Sequence, residues 1–255
     1  MHMLQMTGLV MAIYFFSLGF IVFYRDKINV KIGNLIFVIA DVFFFFLLNY
    51  SYFVNGGLQT FMTFDNISPF TFTLIPFIWL LKDKVKDYAF CAIAFLHFGM
   101  LCATMVSPEQ AYLFNFTAEA DMIYTADAFC HMITSLFGIY LVLTKQVKPC
   151  FKSWLKSLIF MYSVITFGVL LNFAFHRSYF GMNPYGNYSI YFLDVFHNFG
   201  TTLLVYYLGV LVVLTFGMQT SYWFLKLLEP HGNKRKKKRK ETTSTMIGSD
   251  HADVT

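Results

Sequence analysis

The sequence predicts an all-α membrane protein, a seven-transmembrane-helix bundle with its N-terminus outside and its C-terminus cytoplasmic. Three observations predict it. Of the 255 residues, 57% are hydrophobic and only 13% charged, with a mean hydropathy of +0.57; that balance belongs to polytopic membrane proteins rather than soluble domains. Seven apolar stretches can be drawn, at about 4–24, 32–54, 67–81, 88–106, 123–144, 153–175 and 190–225, against the roughly 20 residues a helix needs to cross a bilayer. Basic residues fill alternate connections: Arg25, Lys27 and Lys31; Lys82, Lys84 and Lys86; Lys145, Lys148, Lys152 and Lys156; and the run Lys234 to Lys240. The opposite connections carry Asp65, Glu109, Glu119 and Asp121 with Arg177 as the sole basic residue. The positive-inside rule then sets the orientation. Residues 1–228 form the bundle, and 229–255 are a tail, basic and then polar, expected to be disordered.

Span 1 lacks the basic flank and small-x-small site of a signal peptide, and reads as a retained helix. Span 2 holds Asp41 near its middle. A lone carboxyl there is either protonated or bonded to a neighbouring helix, and it is either a structural group or a member of a site. Gly56 and Gly57 favour a turn. Span 3, SPFTFTLIPF, has Pro69 in its first turn and Pro76 where it kinks the interior. Its threonines, Thr71 and Thr73, are expected to bond their own backbone. In span 4, His97 is read as a bond to a neighbouring helix. The connection 107–122 is expected to be the longest outer loop, an aromatic anchor or a lid.

Span 5 carries the sharpest signal. Asp127 and His131 are four residues apart, on one helical face at membrane depth. A charge inserted there costs roughly 2.5–3.5 kcal/mol, so such residues face the bundle and have partners. Cys130 points about 100° away from its neighbour His131, which argues against a Cys–His dyad on this helix. Asn172 follows in span 6, then His176 and Arg177 at its outer end, the latter suited to an anionic group or to interfacial snorkelling. Span 7 adds Asp194, His197, Asn198 and Thr201 at helical spacing. Asp127, His131, Asn172, Asp194 and His197 all fall in the outer half of the bilayer, as an outward-opening polar cavity would require. Asp194, coming from another helix, is expected to orient His131, with Asp127 sharing its proton or pairing with His197. A packed polar helix interface is the plainer alternative.

Several stretches resemble the YwaF-type family of integral membrane proteins, bacterial relatives of a eukaryotic transmembrane acyltransferase. They are SPFTFTLIPF, LHFGMLCATMVSPE, DAFCHMITSLFGIYLVLTKQVKPCFKSWLKSLIF and LLNFAFHRSYFGMNPYG, within residues 66–220. The resemblance implies a compact helical bundle with an acyl-transfer or ester-hydrolysis site. It maps the family histidine to His131 and its asparagine to Asn172. Family members carry Pro-x-His-x-Cys in span 3, where this chain reads Pro69-Phe70-Thr71-Phe72-Thr73. The thiol is gone. Either Thr73 serves as nucleophile with His131 as base, or the chain is catalytically silent.

The expected catalytic set is therefore His131, Asp194 and Thr73, and the expected substrate-binding set Asp127, Asn172, His197 and Arg177. The expected function is a polar His/Asp site facing the outer leaflet and acting on lipid acyl chains, as acyltransferase or hydrolase. The alternatives are a small-molecule or proton-coupled transporter and a silent binding or scaffold protein. A retinal protein is disfavoured, because the only lysine of span 7, Lys226, lies at its inner end. No Walker motif, dinucleotide glycine pattern or zinc spacing is present, so no cofactor or metal is expected. Expected partners are membrane lipids, with anionic headgroups at the basic tail, and no nucleic acid. The sequons at Asn66, Asn115 and Asn187 lie on the outer side.

Overall fold

A computed structural model describes residues 2–56, 67–113, 118–175 and 203–228. Seven α-helices run through them: α1 (His2–Tyr24), α2 (Val30–Gly56), α3 (Ile67–Phe77), α4 (Asp83–Leu113), α5 (Ala118–Leu143), α6 (Phe151–Phe175) and α7 (Leu203–Leu228). There is no strand among the described residues. Helix is what apolar segments of this length must adopt in lipid, where every backbone N–H and C=O has to be satisfied within the segment. Five windows are long and apolar enough to cross a membrane: Val30–Tyr50, Asp83–Met105, Thr125–Leu143, Phe151–Phe175 and Tyr207–Leu228. Two shorter apolar helices, Gly8–Tyr24 and Ile67–Leu80, accompany them. The chain is thus a multi-pass helical membrane protein.

Pro76 decides the shape of α3. Its ring removes one N–H and crowds the carbonyl one turn back. The α-helix ends at Phe77 and one 3-10 turn, Ile78–Leu80, completes the element. The expected loop 107–122 is corrected: α4 continues to Leu113 and α5 begins at Ala118. Both helices outrun their apolar windows because Glu109, Gln110, Ala111, Ala118, Glu119 and Ala120 favour helix without needing lipid. The expected turn after Gly56, the polar face before Leu203 and the basic tail lie outside the described residues.

α5 is the spindle. It packs most extensively along α4 and next along α2, with α1 and α3 adding to its cover. α4 in turn carries α6 and α7 on its other flanks. The α4–α5 contact is close because Gly138 has no side chain: a Cβ there would stand 2.7 Å from the Ile93 carbonyl oxygen. The buried core is centred on these two helices, with Ile93, Phe95, Phe137, Ile139 and Leu141 sealed from solvent. The outer helices turn their phenylalanines away from it. Phe16, Phe20, Phe23, Phe43, Phe46, Phe167 and Phe216 are exposed, as rings on a lipid-facing surface would be.

One end of the bundle is fastened by polar contacts. Asn34 at the start of α2 and Gln146 after α5 exchange two amide hydrogen bonds, of 2.9 and 3.1 Å. The Tyr140 hydroxyl donates to the Val30 carbonyl at 3.2 Å and lies where a Cβ on Gly33 would be. Lys156 of α6 forms an ion pair with Asp87 of α4. The α5 C-terminus closes on Lys145, in a left-handed conformation (φ 63°), with its N–H donating to the Val142 carbonyl. That is the 5→2 bond of a helix stop usually built on glycine. The basic connections 25–29, 81–82 and 144–150 meet at this end.

Candidate polar site

α5 places Asp127 and His131 one turn apart, as the spacing requires. His131 is buried. Its Nδ1 lies 2.8 Å from the Asp127 carbonyl oxygen and 3.3 Å from Asp127 Oδ2. A carbonyl oxygen only accepts, so Nδ1 carries a proton, and in the neutral ring Nε2 then holds the lone pair. The ring meets Phe72 of α3 edge-on, with centroids 5.0 Å apart. Phe72, Ala126, Cys130 and Leu48 form a small buried apolar cluster, covered by Phe44, Phe45 and Leu47 of α2. The histidine is therefore held by a carboxylate from its own helix and walled by α3, with α2 closing over the same level.

Asp127 reaches His131 from its own helix, while the expected contact of Asp194 with His131 falls outside the described residues. One helical turn is enough, because the histidine ring folds back along α5 toward the preceding turn, where both Asp127 oxygens are within reach. Asp194, His197, Arg177 and His176 lie outside the described residues. Asn172 is buried in α6, whose neighbours among the described residues are mainly α4 and α7. Thr73 stands next to Phe72, but its hydroxyl donates to the Pro69 carbonyl at 2.9 Å. Thr71 does the same to the Ile67 carbonyl at 2.7 Å. Both threonines thus serve the backbone of their own helix, as threonines in membrane helices commonly do.

Three groups carry more than the sequence revealed. Asp41 is fully buried on α2 and, among the described residues, neither carboxyl oxygen has a hydrogen-bond partner. Thr134 Oγ1 on α5 is likewise buried and unpartnered. His97 bonds its own helix rather than a neighbour: Nδ1 donates to the Ala94 carbonyl at 2.9 Å, and Nε2 is buried without a partner. Its ring faces Phe224 of α7. Beside it a short polar chain crosses three helices, Tyr14 of α1 to Ser135 of α5 at 3.1 Å, and Ser135 donating to the His97 carbonyl at 2.9 Å. No spacing rule exposes these partners, because they join residues 38 and 121 apart in the chain.

Outside the spans, Cys150 lies just before α6, its carbonyl accepting from the Trp154 N–H. Burial raises its thiol, but the Ser153 hydroxyl, the N–H groups of Ser153 and Lys152 and the charge of Lys148 outweigh that, holding it below the ordinary thiol value. No group of metal-ligating side chains occurs among the described residues. Family models, curated proteins and solved structures offer no match to this chain.

Proposed function

We propose that this protein is a membrane enzyme acting on lipid acyl chains, an acyltransferase or hydrolase, within a seven-span bundle oriented N-terminus out. The observation that carries the reading is the His131–Asp127 contact. With Nδ1 protonated and held by Asp127, Nε2 is free to act as a general base. It takes the proton of a water or lipid hydroxyl as that oxygen attacks an ester carbonyl. The imidazolium, stabilised by the Asp127 carboxylate, returns the proton to the departing oxygen. A water or lipid hydroxyl suits this step better than Thr73, whose own proton is already engaged.

Two further features support a one-sided site. Below His131, Ile75, Leu136, Phe137 and Ile139 are buried and fill the bundle toward its basic end. The basic connections gather at that end, so the positive-inside rule puts it in the cytoplasm and His131 toward the outer leaflet. Asn172, Arg177, Asp194 and His197 complete the proposed lipid-binding set, with anionic headgroups meeting the tail.

The test is purified protein in vesicles with fluorescent phospholipids and lysolipids, read by lipid mass spectrometry. His131→Ala should lower turnover by about 10²–10⁴-fold, the usual contribution of a general base, with insertion and folding unchanged. Thr73→Val should leave turnover intact. Wild-type protein that turns over no lipid ends this reading. The carboxyl of Asp41 and the Nε2 of His97, buried without partners among the described residues, favour a second one, a proton-coupled transporter, which uptake into liposomes dependent on Asp41 would establish.

A further inference from the structure

Two cysteines far apart in the chain meet at one serine. Cys150 stands at the N-cap of α6: its carbonyl accepts from the Trp154 N–H, and its sulfur meets the N–H groups of Ser153 and Lys152. The Ser153 hydroxyl lies 3.4 Å from that sulfur. The same hydroxyl reaches the Cys91 thiol of α4, and the two thiols lie within coulombic range of each other. Both cysteines are free thiols, Cys91 buried and Cys150 half-buried. One turn away along each helix, the Lys156–Asp87 ion pair holds α4 against α6.

The pair is unequal in a way that suits peroxide chemistry. Thiolate is the reactive form, and helix N-terminal N–H groups and nearby cations favour it. Cys150 has the Ser153 and Lys152 N–H groups and the Lys148 charge. It is also the more accessible of the two, so an oxidant arriving at this end meets Cys150 first. Redox-sensing cysteines have this character, with a second thiol beside them to resolve the oxidised one.

We propose that Cys150 is a hydroperoxide-reactive thiol and that Cys91 resolves it, giving a reversible disulfide between α4 and the start of α6. The Cys150 thiolate attacks the outer oxygen of the hydroperoxide. An S–O bond forms, the O–O bond breaks, and the departing oxyanion takes a proton from water. Cys150 is now a sulfenic acid. The Cys91 sulfur attacks the Cys150 sulfur; the S–S bond forms, the S–O bond breaks, and hydroxide leaves as water with the Cys91 proton, which the Ser153 hydroxyl is placed to pass. Two thiols have then given two electrons to one hydroperoxide, which ends as an alcohol and a water, or as two waters from hydrogen peroxide. Bridging displaces the Ser153 side chain from its place against both sulfurs. The site lies at the basic end of the bundle, and stands whether or not His131 acts on lipid.

The full protein in vesicles, with Cys102 and Cys130 replaced by alanine, tests it. Hydrogen peroxide in the water and a phospholipid hydroperoxide in the bilayer supply the same chemistry from two sources. Mass spectrometry of unreduced peptides should find Cys91 joined to Cys150, and dithiothreitol should restore both thiols. In Cys91→Ser no bridge forms, and dimedone should trap Cys150 as a sulfenic acid that otherwise proceeds to sulfinic acid. In Cys150→Ser, Cys91 should stay reduced. Ser153→Ala should slow bridging. Bridging by either peroxide supports the proposal and identifies the source, and bridging by neither overturns it. So does a Cys91 that oxidises equally fast in Cys150→Ser, or a bridge that joins two copies of the chain. Dimedone-labelled Cys150 with no bridge in the presence of Cys91 overturns the resolving role, and an unchanged rate in Ser153→Ala removes the serine from the site.

Discussion

Gly138 of α5 faces the Ile93 carbonyl of α4 so closely that a methyl group at residue 138 would sit 2.7 Å from that oxygen and 3.0 Å from the His97 Cβ. Backbone is the near neighbour, and it cannot rotate aside. Gly138→Ala should therefore push the two central helices apart and destabilise the bundle by about 1–3 kcal/mol, the usual cost of overpacking a core. Thermal unfolding in detergent measures it. An unchanged midpoint would mean that the α4–α5 contact is looser than the geometry states.

The Tyr14–Ser135–His97 chain makes a prediction about coupling. Tyr14→Phe removes one neutral hydrogen bond, and double-mutant cycles inside membranes put such a bond near 0.6 kcal/mol. Ser135→Ala should cost more, because it strips a partner from the Tyr14 hydroxyl and from the His97 carbonyl at once. The double variant should cost less than the two single losses added together. Strict additivity would show that the two hydroxyls do not bond.

Asn34 and Gln146 satisfy each other's amides. Asn34→Ala leaves the Gln146 side chain with its interhelical partner gone, a loss of about 1–3 kcal/mol where the group stays out of water. Its location matters more than its size, since this pair ties α2 to the end of α5. Hydrogen exchange should speed up in the first turns of α2 and leave α6 and α7 unchanged.

Among the cysteines, Cys150 should alkylate first. Cys91 and Cys130 are buried and the exposed Cys102 lies within the apolar Asp83–Met105 window, whereas Cys150 lies just before α6 with its thiol held below the ordinary value. Because that value is lowered, its thiolate should persist to more acidic pH than an unperturbed thiol's and disappear as pH falls through the lowered value. Ser153→Ala should raise the value and slow the reaction at neutral pH. Mass spectrometry of timed iodoacetamide digests reads both effects.

Helix was legible wherever apolar length demanded it, and α3 broke where Pro76 stands. The Asp127–His131 pair was visible from spacing alone. What hydropathy hid is which helix lies inside. The Val30–Tyr50 window of α2 has mean hydropathy 2.1 yet only 17% of it is buried, while Thr125–Leu143 of α5 has 1.6 and is 89% buried. Lipid selects apolar residues on a helix surface, and helix contacts tolerate Ser135, Thr134 and Gly138, so greasiness reports exposure to lipid rather than depth in the protein. The overrun of α4 beyond Met105 escaped for a related reason: an apolar scan marks where lipid ends and says nothing about where a helix stops. Thr73 drew interest as a nucleophile because Thr73 occupies the position of a family cysteine, whereas the carbonyl of Pro69 one turn back already claims its hydroxyl.

The seclusion of α5 also bears on how the chain is made. While being synthesised, this segment follows the helices that come to cover it, α1 to α4, and carries Asp127, His131, Thr134 and Ser135 on a modest hydrophobic load. Alone in the bilayer it would turn those polar side chains toward lipid. Gly138 lets it lie directly on α4, the helix made just before it, so the two suit release into the membrane as one hairpin, α4 shielding one side of α5 while α2, α1 and α3, already made, close over the rest. A ribosome stalled soon after Leu143 should then hold a crosslinkable α4–α5 pair, and Gly138→Val should leave α5 lingering at the insertion machinery.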